Sequence, residues 1–492
     1  MFEKAPTHKS TEHMSVLCRG KSLLILVWML SSPATSDRTD AFIGYSEDKS
    51  TTAQSSCQDK ESGCSIWQKN GECLANPYYM RVNCAQSCQI PSCAGYKQQA
   101  ASWKGHATEY HTKQYTTRIP GVQQLSADRH FRRDASMGSI VTGHTLRGDP
   151  WLSLSSMGVG TYLGAEDDET DELVAAAVIT SVHKGWNVID TASNYRGGRG
   201  EKAVSHALAA LRHKLGLTRE MLFISTKAGF LQDEVKHQLI KQKKITEQDI
   251  VGGSSCLKSA CLEASLQQSL NSLGLDTVDL LYLHNPAEMQ LSALGPQAFT
   301  SQMTEAFTWA EGARKRGLIR AYGLATWDCF RKAPGSAGYV SLLSLVQLAQ
   351  QVGGADHGLR YIQLPINAVM REAWQSTWQP LPGPNPDGKE PMGSTLEAAG
   401  RLQLGVFASG PLQEASLLQH AALESKLNAV PELSNVVGTG PKLVQIARST
   451  PSLVATLVGH KSKEHVLANL ALSNIQPLTP QQFESVMRSL SL

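Results

Sequence analysis

From Trp151 onward, this 492-residue chain alternates short apolar strands with amphipathic helices. The expected strands are Met157–Gly160, Trp186–Ile189, Leu222–Ser225, Val278–Leu283, Ala321–Leu324, Tyr361–Leu364, Gly405–Phe407 and Val454–Val458. Helices are expected between and after them at 170–184, 201–213, 257–273, 301–315, 342–352, 395–401, 441–449 and 463–471. Eight strand–helix pairs over about 340 residues predict an α/β fold, a parallel (β/α)8 barrel of the TIM type, at 149–492.

A doubly wound open sheet is the alternative for such a pattern. No Gly-x-Gly-x-x-Gly motif follows the first strand, as a dinucleotide fingerprint would require, and this favours the barrel. Functional side chains of a barrel lie at the carboxyl ends of its strands. Asp190, Lys227 and His284 stand at such ends, and Tyr195 follows Asp190 in a glycine-rich turn. These four residues are therefore the candidate catalytic group.

Strands and helices follow one another closely along the chain except at three long segments, Gly229–Cys256, Gln379–Gly393 and Leu412–Gly440. They follow strands three, six and seven, so we expect them around the barrel mouth, where loops commonly shape a substrate pocket. Tyr162, Phe230 and Trp327 lie at or near strand ends, and they are either an aromatic pocket lining or ordinary packing.

Charge and cysteine content limit the function further. A net charge of +3 on 492 residues, with no basic stripe, argues against a nucleic-acid partner. Six of the ten cysteines fall between positions 57 and 93, which predicts a small disulfide-rich module in an oxidising compartment. Zinc is the competing interpretation, but the segment has no C-x-x-C pair and no histidine, so no metal site is expected. Cys256 and Cys261 are either bridged or two free thiols.

The first 150 residues divide into four further parts. Residues 1–36 contain a short apolar run after Arg19 and Lys21, which predicts a signal peptide, with an uncleaved signal anchor as the alternative. Residues 37–56 are polar and expected to be disordered, and 94–148 are expected to form a linker. Within the linker, Arg129–Arg133 is interpreted as a solvated charge run, with a proteolytic processing site as the alternative.

The cysteine-rich segment 57–93 resembles the ShK toxin-like (ShKT) domain. Its six cysteines match, and so do Asp59, Trp67, Gly71, Asn76, Pro77 and Met80. The spacing alone permits 15 pairings of six cysteines. The resemblance implies Cys57 with Cys93, Cys64 with Cys84, and Cys73 with Cys88. An adhesive or substrate-presenting module is favoured over a channel blocker, because Met80-Arg81 replaces the Lys-Tyr pair of the blocking toxins.

The stretch Asp190-Thr-Ala-Ser-Asn-Tyr195, with Gly200-Glu201, Thr226-Lys227 and Leu273–His284, resembles the active-site core of the aldo-keto reductase superfamily. The resemblance implies an NADP-dependent oxidoreductase that reduces an aldehyde or ketone to an alcohol. Tyr195 would be the proton donor. Because a tyrosine has an ordinary pKa of about 10, it needs a nearby cation, which Lys227 can supply. Asp190 would hold Lys227, and His284 would orient the carbonyl oxygen.

The resemblance also implies a set of cofactor-binding residues: Ala325, Thr326, Gln363, Ser409, Gly410, Pro411, Leu412, Gly459, Lys461, Ser462, His465 and Asn469. Ala325-Thr326 replaces the Ser-Asn pair usual in the family, and Ser409 stands where many members stack an aromatic ring on the nicotinamide. Lys461 and His465 can face a 2′-phosphate, which favours NADP(H), and NAD(H) is not excluded. The alternative is that these two side chains only solvate the last helix.

Two other function classes stay open at this level. One is a non-catalytic nucleotide-binding protein, and the other is a secreted protein that binds a surface or another protein through the ShKT module. The cysteines and the leader predict the secretory pathway, either outside the cell or in the endoplasmic-reticulum lumen, with membrane anchoring by the leader as the alternative. The sequence identifies neither the carbonyl substrate nor the oligomeric state.

Overall fold

The structure, a computed structural model, describes residues 58–90, 103–118, 130–137, 151–214, 217–383 and 390–490. All of them lie in one compact unit, Thr52–Leu492. The expected leader at 1–36, the segment 37–56, Cys57 and Cys93 lie outside the described residues. Within the described ranges, no helix combines the length and apolar character needed to cross a membrane.

The cysteine-rich module is a cluster of three short helices, Cys64–Lys69 (α1), Glu72–Ala75 (α2) and Pro77–Asn83 (α3). Disulfides join Cys64 to Cys84 and Cys73 to Cys88, which confirms two of the three expected pairs. Such cross-links typically stabilise a small domain by about 2–4 kcal/mol each. Met80 is buried in one apolar cluster with Cys64, Cys73 and Cys84.

The described parts of segment 94–148 are ordered, so the expectation of a linker is wrong for them. Residues 103–118 include the helix Glu109–Arg118 (α4), and residues 130–137 include the strand Phe131–Asp134 (β1). Strand β1 pairs antiparallel with Leu152–Ser155 (β2). Trp103, Tyr115 and Phe131 are buried, but they are spaced too irregularly to give a helical or strand period.

The interpretation of a solvated charge run is wrong for His130 and Arg132, whereas Arg133 is exposed and Arg129 lies outside the described residues. His130 is fully buried, and its Nε2 lies 2.8 Å from the carbonyl oxygen of Gly185. Arg132 donates to the carbonyl of Leu453 at 2.5 Å and to the carbonyl of Arg448. The partners of Arg132 thus lie more than 300 positions away along the chain, and the partner of His130 lies 55 positions away.

Eight parallel strands form a closed barrel, which confirms the expected fold. In barrel order they are Met157–Gly160 (β3), Val188–Asp190 (β4), Phe223–Ala228 (β5), Val278–His284 (β6), Ile319–Ala325 (β7), Leu359–Pro365 (β8), Gly405–Ser409 (β11) and Ala455–Gly459 (β12). A separate antiparallel pair joins Gln379–Pro380 (β9) to Met392–Gly393 (β10). Most strands extend further toward their carboxyl ends than expected, so Lys227 lies within β5 and His284 is the last residue of β6.

Helices cover the outside of the barrel. After α4 they are Asp168–His183 (α5), Arg199–Lys214 (α6), Asp233–Lys241 (α7), Ser259–Leu273 (α8), Pro286–Leu294 (α9), Pro296–Lys315 (α10), Leu342–Gly353 (α11), Glu372–Gln375 (α12), Thr395–Arg401 (α13), Ala421–Ala429 (α14), Thr439–Ser449 (α15), Lys463–Leu470 (α16) and Pro480–Ser489 (α17). Helix α5 begins earlier than expected, because the side chain of Asp167 accepts the N–H of Thr170 at 2.7 Å and forms the N-cap.

The barrel interior is apolar at its amino end and polar at its carboxyl end. The rings of Phe223, Tyr361 and Phe407 are 5.6–5.7 Å apart and fill the centre. The hydroxyl of Tyr361 donates to Asp134 at 2.6 Å, so the end of β1 covers the amino end of the barrel. Because side chains alternate along a strand, Ser225 and Lys227 point into the barrel on the same side as Phe223.

The three long segments contain structure of their own. Gly229–Cys256 includes helix α7, Leu412–Gly440 includes helix α14, and Gln379–Gly393 includes the β9–β10 pair, with residues 384–389 outside the described part. Cys256 and Cys261 are joined by a disulfide, which decides between the two alternatives for that pair. The bridge connects the end of the first segment to helix α8.

Candidate active site

A buried ion pair forms the centre of the site. The Nζ of Lys227 donates to Oδ2 of Asp190 at 2.5 Å and to the carbonyl of Thr191 at 2.9 Å. The other carboxylate oxygen of Asp190 accepts from Ser225 Oγ at 2.7 Å and from Gln363 Nε2 at 3.0 Å. Both charges are buried and hydrogen-bonded, which is the condition under which a buried pair is tolerated.

The charge of Lys227 is retained. Burial alone would lower the pKa of this ammonium, but the Asp190 carboxylate and then Tyr195 raise the pKa above its ordinary value. A fixed positive charge therefore lies at the barrel mouth at neutral pH.

Tyr195 is brought to this charge by a left-handed turn. Arg196, Gly197 and Gly198 have φ values of 53°, 60° and 89°, so three successive residues adopt a conformation that glycine tolerates best. The turn brings the ring of Tyr195 to 4.6 Å from Lys227 Nζ. The expected glycine-rich turn is confirmed by these angles at Gly197 and Gly198, but Gly200, also expected in the turn, lies in helix α6.

The protonation states of Tyr195 and His284 follow from their burial and from the nearby charge of Lys227. Burial raises the pKa of Tyr195 above its ordinary value, and Lys227 opposes that rise. Lys227 lowers the pKa of Tyr195, as expected, but burial raises that pKa by more. The Tyr195 phenol therefore carries its proton at neutral pH. Burial, with Lys227 as the second cause, lowers the pKa of His284 well below its ordinary value. His284 is therefore a neutral imidazole.

Aromatic rings surround Tyr195 and His284. The rings of Tyr195 and His284 are 5.9 Å apart, the ring of Tyr162 is 5.0 Å from Tyr195, and the ring of Phe230 is 4.9 Å from His284. Two of the three expected pocket residues thus contact catalytic candidates. Trp327 is half-buried in the loop after β7.

Glu288 fixes that loop. Its Oε1 accepts the backbone N–H groups of Trp327, Asp328 and Cys329 at 2.8, 2.9 and 3.1 Å. Because Glu288 lies on α9, which begins two residues after His284, it connects the loops that follow strands β6 and β7. Sequence reasoning missed this residue.

The residues expected at the nicotinamide end lie at the ends of β7, β8 and β11. Thr326 is buried, and its N–H donates to the Gln363 carbonyl at 2.8 Å. The side-chain amide of Gln363 donates a hydrogen bond to the carboxylate of Asp190. Ala325 ends β7, Ser409 ends β11 and is half-buried, and Gly410, with a φ of 58°, begins the turn that continues through Pro411 and Leu412.

The residues expected at the phosphate end surround the start of α16. Ser462 caps helix α16, since its hydroxyl oxygen accepts the N–H of His465 at 3.4 Å. Lys461, the residue before Ser462, is half-buried. Asn469 is buried, and its Nδ2 lies 3.3 Å from Nδ1 of His460. Gly459 pairs with Gly160 of strand β3, and no atom lies within 4 Å of the position that a Cβ at Gly459 would take.

A phosphate fits this donor set. The positive end of helix α16, the hydroxyl of Ser462, the ammonium of Lys461 and the imidazole of His465 are groups that can bind an anion. Lys461 forms no ion pair with any residue that the structure describes.

Two family models match the chain. Residues 156–339, which contain all four catalytic candidates, match the model of the aldo/keto reductase family. This part of the barrel is therefore similar to that family. Residues 56–90 match the model described as ShK domain-like. The cofactor candidates from Gln363 onward lie beyond the segment matched by the aldo/keto reductase model.

Known aldo/keto reductases and related enzymes resemble this barrel at low identity. Glycerol 2-dehydrogenase (NADP(+)) of Saccharomyces cerevisiae is 26% identical over 181 residues, 37% of this chain and 45% of that protein. NADH-specific methylglyoxal reductase of Escherichia coli is 28% identical over 185 residues, 36% of this chain and 50% of that protein. The chain thus spans about half the length of the curated relatives it matches.

A solved aldo/keto reductase from Klebsiella pneumoniae, in complex with NADP and acetate, is 18% identical. The similarity covers 68% of this chain and 92% of that one, with a TM-score of 0.46.

Sequence reasoning overlooked Ser225, which donates to Asp190, and Arg196, which follows Tyr195. Ser225 could have been found, because it lies two positions before Lys227 on the same strand and so faces the same side. Arg196 carries no comparable signal, since its role depends on a contact with helix α5.

Proposed function

We propose that this protein is an NADP(H)-dependent oxidoreductase that reduces an aldehyde or ketone to an alcohol. The observation that carries the proposal is the cluster of Tyr195, Lys227, Asp190 and His284 at the barrel mouth. A protonated phenol, a fixed ammonium and a neutral imidazole within one pocket are the groups that carbonyl reduction needs on the oxygen side.

The cofactor supplies a hydride when it is bound, which no side chain can do. Lys461, Ser462 and His465 would hold the 2′-phosphate, and Ala325 and Thr326 would face the nicotinamide end. Related proteins named for NADP(+) and for NADH both exist, and the cationic helix start at Lys461 favours NADP(H) here.

Each side chain then has a defined task. The Tyr195 phenol donates its proton to the carbonyl oxygen, and the Lys227 ammonium stabilises the phenolate that is left. Asp190 keeps Lys227 in position, and His284 donates a hydrogen bond to the same carbonyl oxygen. Phe230 and Tyr162 keep water away from the reacting groups.

The test is carbonyl-dependent oxidation of NADPH, followed at 340 nm, over a panel of aldehydes and ketones. We expect Tyr195→Phe to lower kcat by about 10²–10⁴-fold, the usual contribution of a positioned acid, while NADPH binding by calorimetry stays unchanged. Tyr110→Phe is the matched control, because Tyr110 is 63% exposed and lies outside the site.

Tight NADPH binding without turnover on any carbonyl would favour the non-catalytic nucleotide-binding alternative. Absence of both, together with retained binding of residues 37–100 to a surface or partner, would favour an interaction protein that acts through its ShK-like module.

We also propose that the protein resides in the secretory pathway or outside the cell. The proposal is supported by three disulfides among the described residues, since such bridges are rare in reducing compartments, and by the apolar run within residues 1–36. Localisation of a tagged chain with its amino terminus intact tests it. A cytosolic distribution with reduced cysteines would refute it, and retention in membranes after carbonate washing would indicate an anchor.

A further inference from the structure

The turn that carries Tyr195 contains one residue in an unfavourable conformation. Arg196 has φ 53° and ψ 47°, a left-handed conformation that costs a non-glycine residue free energy and persists only when surrounding contacts hold it. Because Arg196 is the neighbour of Tyr195, whatever holds its backbone also sets the position of the proton donor.

Helix α5 and the residues just before it provide those contacts. The Nη2 of Arg196 donates to Oδ1 of Asp171 at 2.5 Å, and its Nε donates to the carbonyl of Ala165 at 2.9 Å. The guanidinium is 1% exposed. Arg199 pairs with the second oxygen of the same carboxylate at 3.0 Å. The first turn of α5 therefore anchors the Tyr195 turn from outside the barrel.

The ShK-like module holds the same turn of α5 from its other side. Arg81, on helix α3, forms an ion pair with Glu172, the residue directly after Asp171. The side chain of Arg81 is 3% exposed, although most arginines lie on the surface. His206 of helix α6 faces the same carboxylate, with 3.9 Å between Nδ1 and Oε1.

Apolar contacts accompany this ion pair. Leu74 is buried within the main core of the barrel, and Tyr78 packs against that core. The residues that face the barrel are therefore unavailable to an outside partner, and the module is a fixed part of the barrel wall.

We propose that the ShK-like module is a positioning element of the active site: Arg81 fixes Glu172, which sets Asp171 to hold Arg196 and thereby the turn bearing Tyr195. The inference rests on the proposed function for its effect on turnover, but not for its effect on structure. Arg81, Asp171 and Arg196 are positioning residues, since none of them touches the reacting groups.

The experiment compares full-length wild type with Arg81→Met by two readouts. The first is hydrogen exchange, followed by mass spectrometry, of peptides covering 167–173 and 191–200, with strand β8 as an internal reference. The second is steady-state kinetics with NADPH and the best carbonyl of the panel. Lys69→Met is the matched control, because it removes one positive charge from an exposed position of the same module.

We expect Arg81→Met to speed exchange at 191–200 and to lower kcat about tenfold, since small displacements of a positioned group are costly, with KM for NADPH unchanged. Asp171→Asn should act in the same direction, and the double variant should lose less kcat than the product of the two single losses. Glu172→Gln removes the same charge pair without a cavity, so it tests the coupling if Arg81→Met fails to fold.

Faster exchange confined to the module and α5, with wild-type exchange at 191–200 and wild-type kcat, would overturn the inference. If the wild type turns over no carbonyl, the proposed function fails, and exchange at 191–200 still decides whether the module positions the turn.

Discussion

Removing the charge of Lys227 should destabilise the protein as well as inactivate it. The Lys227 and Asp190 side chains are 1% and 5% exposed, so neither charge can be hydrated if the other is removed. In Lys227→Met, the carboxylate of Asp190 keeps only its bonds from Ser225 and Gln363.

The magnitude follows from the geometry. At 2.5 Å, the attraction between the two charges is about 7 kcal/mol with an effective dielectric constant of about 20. Desolvation costs several kcal/mol per ion, so the net contribution of the intact pair is small. Breaking a buried pair by removing one partner typically costs about 3–5 kcal/mol. Because Ser225 and Gln363 remain as donors, we expect the lower end, about 3 kcal/mol.

The assay is urea unfolding at pH 8, followed by tryptophan fluorescence, of wild type, Lys227→Met, Asp190→Asn and the double variant. We expect Lys227→Met to lower the free energy of unfolding by about 3 kcal/mol, and the double variant to recover about 1–2 kcal/mol of that loss, since no charge is left unpaired. A double variant that loses the sum of the two single effects would refute the reasoning, because the charges would then be independent.

Three further results are expected. Burial and then His465 lower the pKa of His460 to about 3, so the unfolded chain gains a proton below about pH 6.5 that the folded chain does not. Stability should fall as the pH drops through that window, and in His460→Gln the loss between pH 8 and 5 should be about 2 kcal/mol smaller; an unchanged loss by thermal unfolding contradicts this. Replacing Cys256 and Cys261 together by serine should cost about 2 kcal/mol, given the short loop they close, and two free thiols in the intact mass of the folded wild type would remove the basis for that value. Lys461→Ala should raise KM for NADPH about 10- to 100-fold and leave KM for NADH unchanged, since a charged hydrogen bond contributes about 1.5–3 kcal/mol; equal effects on both cofactors would show that the side chain does not contact the 2′-phosphate.

The barrel and the centre of its site were accessible from the sequence because both depend on local patterns. Each strand is a short apolar run between polar segments, and its carboxyl end is where a barrel exposes functional groups. Asp190 and His284 end their strands in the structure, and Lys227 is the penultimate residue of its strand. The ends of the elements were less accurate: helix α5 was expected to begin at 170 but begins at Asp168, because Asp167 is its N-cap.

The segment before the barrel was not predictable, because its order comes from distant partners. Strand β1 has four residues, two of them arginines, which is too short and too charged for a period-two pattern. Arg132 satisfies carbonyl groups near position 450, and Asp134 binds Tyr361 in strand β8. A local window contains none of these partners, so charge and polarity there suggested a linker.

The position of Tyr195 depends on both kinds of information. The spacing from Asp190 and the glycines after Tyr195 predict that the tyrosine lies in a turn at the mouth. They do not predict that Arg196 adopts a left-handed conformation, because propensity argues against it at a non-glycine residue. The Asp171 carboxylate compensates for that cost, and Asp171 lies beside Glu172, which the ShK-like module holds through Arg81. Because a disulfide-rich module can hold one fixed shape with few residues, its attachment to α5 gives a physical reason why this barrel carries such a module.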